Sequence, residues 1–265
     1  MLGSLMWTPW IAGLAALGDK AAGGAAGGAG GALERAAAAF AYRETGNPFP
    51  VANDARPPLR VGLCSSLSCG FLRELILRVR GDPDGPRLEF HEGAPEELIK
   101  AASYGALDVA FVHGARDWWR LAHEELWRER LMVLAPEGHP LTQEAEVDPR
   151  ALRDETVLVA GDGAELDFQT ALLARAIGAA PADVRAVAVA VEKETLFDLV
   201  SLGDAVAITT ASSGGAFHPG VAFRPLTGPA ASIPFHAVWR ASNCDGGLAG
   251  VLEMARAIAA AGAGC

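Results

Sequence analysis

The sequence predicts an α/β fold built from two similar halves. Residues 59–112 alternate apolar, strand-like stretches with amphipathic, helix-like ones, and residues 156–209 repeat the alternation. Between them stands an obvious turn, Pro136-Glu137-Gly138-His139-Pro140. Strands alternating with helices imply a parallel sheet with right-handed crossovers. Two such halves joined by crossing strands leave a cleft, a usual place for a small ligand.

In the first half, Leu59–Leu63 is an apolar strand, and Phe71, Leu72, Leu75, Ile76 and Val79 recur on one face of a helix. Arg87–His91 alternates as a strand. Pro95 suits the first turn of the next helix, with Glu96 and Glu97 favourable beside its positive end. Leu98, Ile99 and Ala102 face inward and Gly105 ends that helix. Leu107–Val112 is apolar enough for a strand buried on both faces, and Arg130–Ala135 is a fourth strand. In the second half Thr156–Ala160, Arg185–Val191 and Ala205–Thr209 read as strands, and Phe168–Ile177 and Thr195–Leu202 as helices, the latter closed by Gly203. Val221–Pro225 and Phe235–Arg240 are further strands, and Gly247–Ala260 is a closing amphipathic helix.

The flanking segment is different. Residues 1–18 carry no charge, but Pro9 interrupts them and no basic residue precedes them, which argues against a membrane span or a signal peptide. An Ala/Gly run over 20–33 is low in information, 33–44 reads as a short Ala-rich helix, and 46–58, with four prolines, reads as a linker. The expected division is therefore 1–58, low-complexity segment and linker, and 59–260, the compact domain. Its first lobe is about 59–135 plus 235–260, and its second about 136–234.

The chain has 265 residues, half of them apolar, and a net charge of −10. An acidic chain is a poor non-specific partner for nucleic acid or an anionic membrane. The four cysteines, Cys64, Cys69, Cys244 and Cys265, match no zinc spacing; Cys64 and Cys69 read as small buried hydrophobes rather than a redox pair. Sparse cysteine fits a reducing compartment. Catalytic signatures are missing too. His123-Glu124-Glu125-Leu126-Trp127 lacks the second histidine of a zinc-protease helix, Ser65-Ser66 stands in no Gly-x-Ser-x-Gly elbow, and Gly161-Asp162-Gly163 lacks the third glycine of a dinucleotide loop. The expectation is a binding module without catalysis, metal or cofactor.

Several segments in order carry a resemblance. They are Leu59-Arg60-Val61-Gly62, Glu92-Gly93 with Glu97-Leu98, Gly105-Ala106-Leu107-Asp108-Val109-Ala110-Phe111-Val112, Pro136-Glu137-Gly138-His139-Pro140-Leu141, Glu194-Thr195-Leu196 running to Leu199-Val200-Ser201-Leu202-Gly203, and Arg224-Pro225-Leu226. Residues 59–260 thereby resemble the effector-binding region of LysR-type transcriptional regulators. The resemblance implies two Rossmann-like lobes of the periplasmic-binding-protein type II kind, joined by two crossing strands. It implies a cytoplasmic sensor of a small-molecule effector, dimeric through the 71–79 helix. Family members begin with a winged helix-turn-helix, which nothing in residues 1–45 matches. DNA binding is thus expected only where that reader is supplied elsewhere, for instance by a full-length regulator in a heteromer. The alternative is an extracytoplasmic solute-binding protein of the same fold.

The candidate ligand-binding residues lie at strand ends. In the turn Cys64-Ser65-Ser66-Leu67-Ser68, the hydroxyls and free N–H groups of Ser65, Ser66 and Leu67 suit a carboxylate, and the resemblance places the effector there. Simple N-capping by a serine is the plainer alternative. Gly93 and Ala94 end the second strand and His113 the third; Ala160, Gly161, Thr209 and Thr210 end strands of the other lobe. Lys193, just beyond a strand, could pair with an anionic effector, but with Glu192 and Glu194 adjacent it reads rather as part of a solvated charge cluster; Trp118, Trp119 and Trp127 could cap the cleft or stack on an aromatic effector, but read rather as packing residues.

Overall fold

The computed structural model describes residues 57–114, 118, 121–161, 163–203 and 205–262. The readings for residues 1–45, most of the proline-rich linker, Trp119 and Cys265 lie outside the described residues.

In the first lobe β1 (Leu59–Leu63) pairs in parallel with β2 (Leu88–Glu92) and with β3 (Val109–His113). Helices α1 (Gly70–Gly81) and α2 (Pro95–Tyr104) make the crossovers. Helix α1 buries Phe71, Leu72, Leu75 and Val79, the i, i+4, i+8 stripe the sequence shows. Pro95 stands in the first turn of α2, and Gly105 ends it at φ 76°, its N–H returned to Ala101 and Ala102 carbonyls. A Cβ at Gly105 would also lie 2.5 Å from the Arg240 guanidinium carbon, the movable end of a long side chain, so it is the positive φ that calls for glycine. Gly62 lets α2 approach β1: a Cβ there would meet the Leu107 and Leu98 side chains at 2.6 and 3.0 Å. Asp108 fixes the start of β3 by accepting from the Arg60 backbone N at 2.8 Å and from its guanidinium at 3.0 and 2.9 Å.

The second lobe repeats the plan. β5 (Val157–Ala160) pairs in parallel with β6 (Ala186–Val189) and β7 (Val206–Thr210), with helices α3 (Gly163–Ile177) and α4 (Lys193–Leu202).

Two long strands join the lobes. β4 (Leu121–Pro136) and β9 (Ser232–Arg240) run antiparallel, from Leu121 opposite Arg240 to Arg130 opposite Ser232. β9 also pairs with β3, while the far half of β4 pairs with β7 and with β8 (Val221–Pro225). The path is β2-β1-β3-β9-β4-β7-β5-β6, with β8 on β4. The sheet is therefore mixed, not purely parallel: each βαβ set is parallel, and the joining strands bring the antiparallel pairs. The expected strand over 130–135 is the end of a sixteen-residue one. Helix α3 starts five residues before the first expected one, at Gly163. Helix α5 (Gly246–Ala261) closes the first lobe, its N-terminus capped by Asp245 Oδ1 accepting from Leu248 N at 3.1 Å.

One apolar core runs from α1, β1 and α5 through the joining strands to Val157, Val159 and Leu173. Trp127 sits at its centre, between the rings of Phe71 (4.2 Å, 6°) and Phe235 (4.7 Å, 13°). The packing expected of Trp127 and Trp118 is met: both are buried, Trp118 against His123 and His236. In the second lobe Arg224 ties β8 to the segment before it, donating to the carbonyls of Glu144 and Thr142, each at 2.8 Å. No helix among the described residues is long and apolar enough to cross a membrane.

Candidate ligand-binding site

The two lobes touch through two turns. The turn after β1 carries Cys64 to Cys69; a short 3-10 turn, Ala211–Gly215, follows β7. Ser65 is buried, and its Oγ lies 2.8 Å from Ser212 Oγ. Thr210 Oγ1 is 3.0 Å from the same hydroxyl, and Ser68 Oγ donates to the Ser212 carbonyl. Ser66 Oγ accepts from Ser68 N and donates to Ser68 Oγ, both at 3.1 Å. The N-cap of α1 is Cys69, with no side-chain cap bond. The serines therefore do not cap the helix; they hold the turn together and reach across to the other lobe. Gly215 permits this contact, because a Cβ there would lie 2.8 Å from Cys69 Cβ and 2.9 Å from the Ser68 carbonyl group.

Beneath these turns lies a buried carboxylate that the sequence reading did not single out. Glu129, on β4, accepts from Trp127 Nε1 at 3.0 Å and from Ser212 N at 3.2 Å. One carboxylate thus joins the central tryptophan to the second lobe's turn. Thr209 is buried and donates to Ser213 Oγ at 2.9 Å, and Lys193 Nζ donates to that oxygen at 2.7 Å. Lys193 is not in a solvated cluster. It is the first residue of α4, half-buried, and its ammonium turns inward while Glu192 and Glu194 stay exposed. Burial lowers its pKa, against the raising influence of Glu129, Glu194, Cys64 and Glu92.

His113 ends β3 at the same junction. Its ring stacks on Phe168 of α3 at 5.1 Å and meets the edge of Phe235 at 5.6 Å. Burial, helped by the Lys193 charge, pushes its pKa down to about 4, so the imidazole is neutral at neutral pH. Its Nδ1 is buried with no hydrogen-bond partner among the described residues. Cys64 is a free thiol, and burial pushes its pKa up to about 12, so it is no thiolate nucleophile.

The structure thus brings Ser65, His113, Thr209 and Thr210 to one junction. Ser66 and Leu67 stand beside it, with Leu67 packed on the core. The remaining candidates keep their backbone bonds within their own lobes: Gly93 N to Leu63 O at 3.2 Å, the Ala94 carbonyl to Leu98 N at 3.1 Å, and Gly161 N to Val189 O at 3.0 Å. Ala160, half-buried, packs against the second-lobe cluster that includes Leu196, Phe197 and Val200. Among the described residues no group of three or more His, Cys, Asp or Glu is placed to hold a metal ion. A separate groove of about 240 Å³, lined by Trp239, Asn243, Asp245, Leu248 and others, lies where β9 leads into α5.

Known structures share this architecture. The BenM effector binding domain with its effector benzoate is 24% identical with a TM-score of 0.65, over 77% of this chain and 93% of that one. The reduced OxyR regulatory domain from Pseudomonas aeruginosa is 22% identical with a TM-score of 0.61, over 76% of this chain and 96% of that one. CbnR, a LysR family transcriptional regulator, is 17% identical with a TM-score of 0.65, over 76% and 70% of the two chains. None of the curated proteins compared matches the chain. The model of the LysR substrate binding domain matches residues 52–262, which span both lobes and every residue of the junction. The chain belongs to that family, the effector-sensing part of LysR-type regulators.

Proposed function

We propose that this domain senses a small-molecule effector held at the junction of the two lobes, and that the bound effector selects one angle between them. The observation behind this reading is the polar network that crosses the junction: Ser65, Ser68, Thr210, Ser212 and Glu129 tie one lobe to the other through hydrogen bonds rather than packing alone. A guest that engages these groups differently in open and closed arrangements shifts the balance by its differential affinity. The candidate contacts are Ser65, Ser66 and Leu67 with Gly93, Ala94 and His113 on one side, and Ala160, Gly161, Thr209 and Thr210 on the other. The domain acts as a dimer, with a second copy or with a full-length regulator of the family.

A thermal-shift screen tests the reading, using a metabolite library that holds both charged and uncharged compounds. A true effector binds the folded state and stabilises it by about 2.7 kcal/mol at a hundredfold excess over its Kd. Stabilisation by one chemical class, weakened by Thr209→Val, supports the sensor. A library that leaves the melting curve unmoved throughout counts against it.

A further inference from the structure

The hydroxyl-rich turn after β1 looks like the anion site, yet its hydroxyls are engaged by the protein. Ser65 bonds Ser212, Ser68 bonds the Ser212 carbonyl, and Ser66 bonds Ser68. Unspent hydrogen-bonding capacity lies elsewhere at the junction. An ammonium has three protons to donate. Ser213 is the one hydrogen-bond partner of Lys193 among the described residues, and no carboxylate there lies within ion-pair distance of it. The Glu129 carboxylate is felt at Lys193 but makes no direct ion pair with it, and its oxygens accept from Trp127 Nε1 and Ser212 N. A charge held partly away from water with no ion pair is costly, and such charges are normally paired.

A second, independent group is left open at the same place. His113 Nδ1 is buried and has no partner among the described residues, and its ring stacks on Phe168 from the other lobe. Buried polar atoms are almost always bonded, so an orphan calls for a missing partner. Both groups border the junction, Lys193 through its bond to Ser213 of the second-lobe turn and His113 at the end of β3 against Phe168.

We propose that Lys193 is the charge contact of the effector, and that the effector is a small organic carboxylate whose second polar group reaches His113 Nδ1 while its body lies against Phe168. This rests on the sensor reading above and deepens it. The Ser65–Ser68 turn then serves as the clamp between the lobes, and Lys193 as the selector. Ser213 connects the two, because it holds Lys193 and is joined directly to Ser212 in the chain.

The test uses the whole chain with acetate, succinate and benzoate, each beside its uncharged amide, read by thermal shift and calorimetry. At least one carboxylate should raise Tm in a concentration-dependent way while its amide does not. In Lys193→Met the affinity for that carboxylate should fall at least tenfold; Lys193→Arg, which keeps the charge, should recover part of it. His113→Phe should weaken binding of the carboxylate that carries a second polar group and leave acetate unchanged. Equal shifts by acid and amide, undiminished binding in Lys193→Met, or no shift by any of the three acids overturns the proposal. Should Lys193→Met fail to fold, the acid–amide comparison on the wild type decides. If uncharged library compounds stabilise the domain and these acids do not, the sensor stands and the charge assignment falls. If nothing of either kind stabilises it, both fall.

Discussion

The turns that face each other across the junction differ in how much they leave unspent. The first-lobe turn, Cys64 to Cys69, carries three serines, and each hydroxyl has a protein partner. The second-lobe side contributes a lysine with one bond and borders a histidine nitrogen with none. The richer-looking turn is a fastening, and the poorer-looking side holds the free chemistry. A count of polar residues along a sequence therefore does not measure what is left free to bond. What matters is which polar groups remain unsatisfied once the lobes meet.

The sharpest way to break this comparison is to remove the carboxylate under the fastening. Glu129→Leu strands the Trp127 indole N–H and the Ser212 amide in a buried place. It should cost about 3 kcal/mol, near 10 °C in Tm for a domain of about 200 residues. Glu129→Gln, which keeps one acceptor, should lose less. Equal stability of Glu129→Leu and wild type in urea unfolding would separate Glu129 from the junction.

Lowering the pH probes the unspent side. The unfolded chain protonates His113 near pH 6.5, whereas the folded state resists until about pH 4. The unfolded state therefore binds the proton first as pH falls, and stability is lost between these values. The loss amounts to about 3 kcal/mol at pH 4 and vanishes above pH 6.5. His113→Phe should show a flatter profile than wild type over that window. Parallel profiles would place His113 in water.

Forcing the fastening apart should have a smaller effect. A side chain at Gly215 collides with backbone and Cβ atoms of the facing turn, so Gly215→Val should cost about 2 kcal/mol. It should also enlarge the radius of gyration in small-angle scattering, because the lobes must part. An unchanged scattering curve would show that the turns yield locally instead. Smallest is Ser212→Ala, which removes one hydroxyl shared by Ser65 and Thr210 and should cost about 1 kcal/mol. Chemical unfolding of the single variant and of Ser65→Ala/Ser212→Ala should give non-additive losses.

Much of the fold could be read directly. Gly105, Pro95 and the α1 stripe mark their elements through local chemistry, and the Gly105–Asp108 run has a tertiary reason in Arg60 and Arg240. The joining strand β4 was harder to see. A bulge between Glu125 and Trp127 breaks its alternation, so Leu126 and Trp127 are both buried in succession, and charged residues crowd that half. The front of α3, Gly163 to Asp167, offers a weak apolar signal before Phe168. The meeting of the strand ends that carry Ser65, His113 and Thr210 was legible, because the topology brings those ends to one junction. The inward position of Lys193 and Glu129 was not, because it depends on long-range packing rather than on neighbours in sequence. Two adjacent glutamates made Lys193 look solvated, and Glu129 sits between two arginines.

The central claim is that a small molecule is held between the two lobes. Amide hydrogen exchange, followed with and without a compound that stabilises the chain, tests it most directly. The account predicts slower exchange in residues 64–69, around His113 and in residues 209–215, on both sides of the junction at once. Slowing confined to the groove around Trp239 and Leu248, with the junction unchanged, would contradict it.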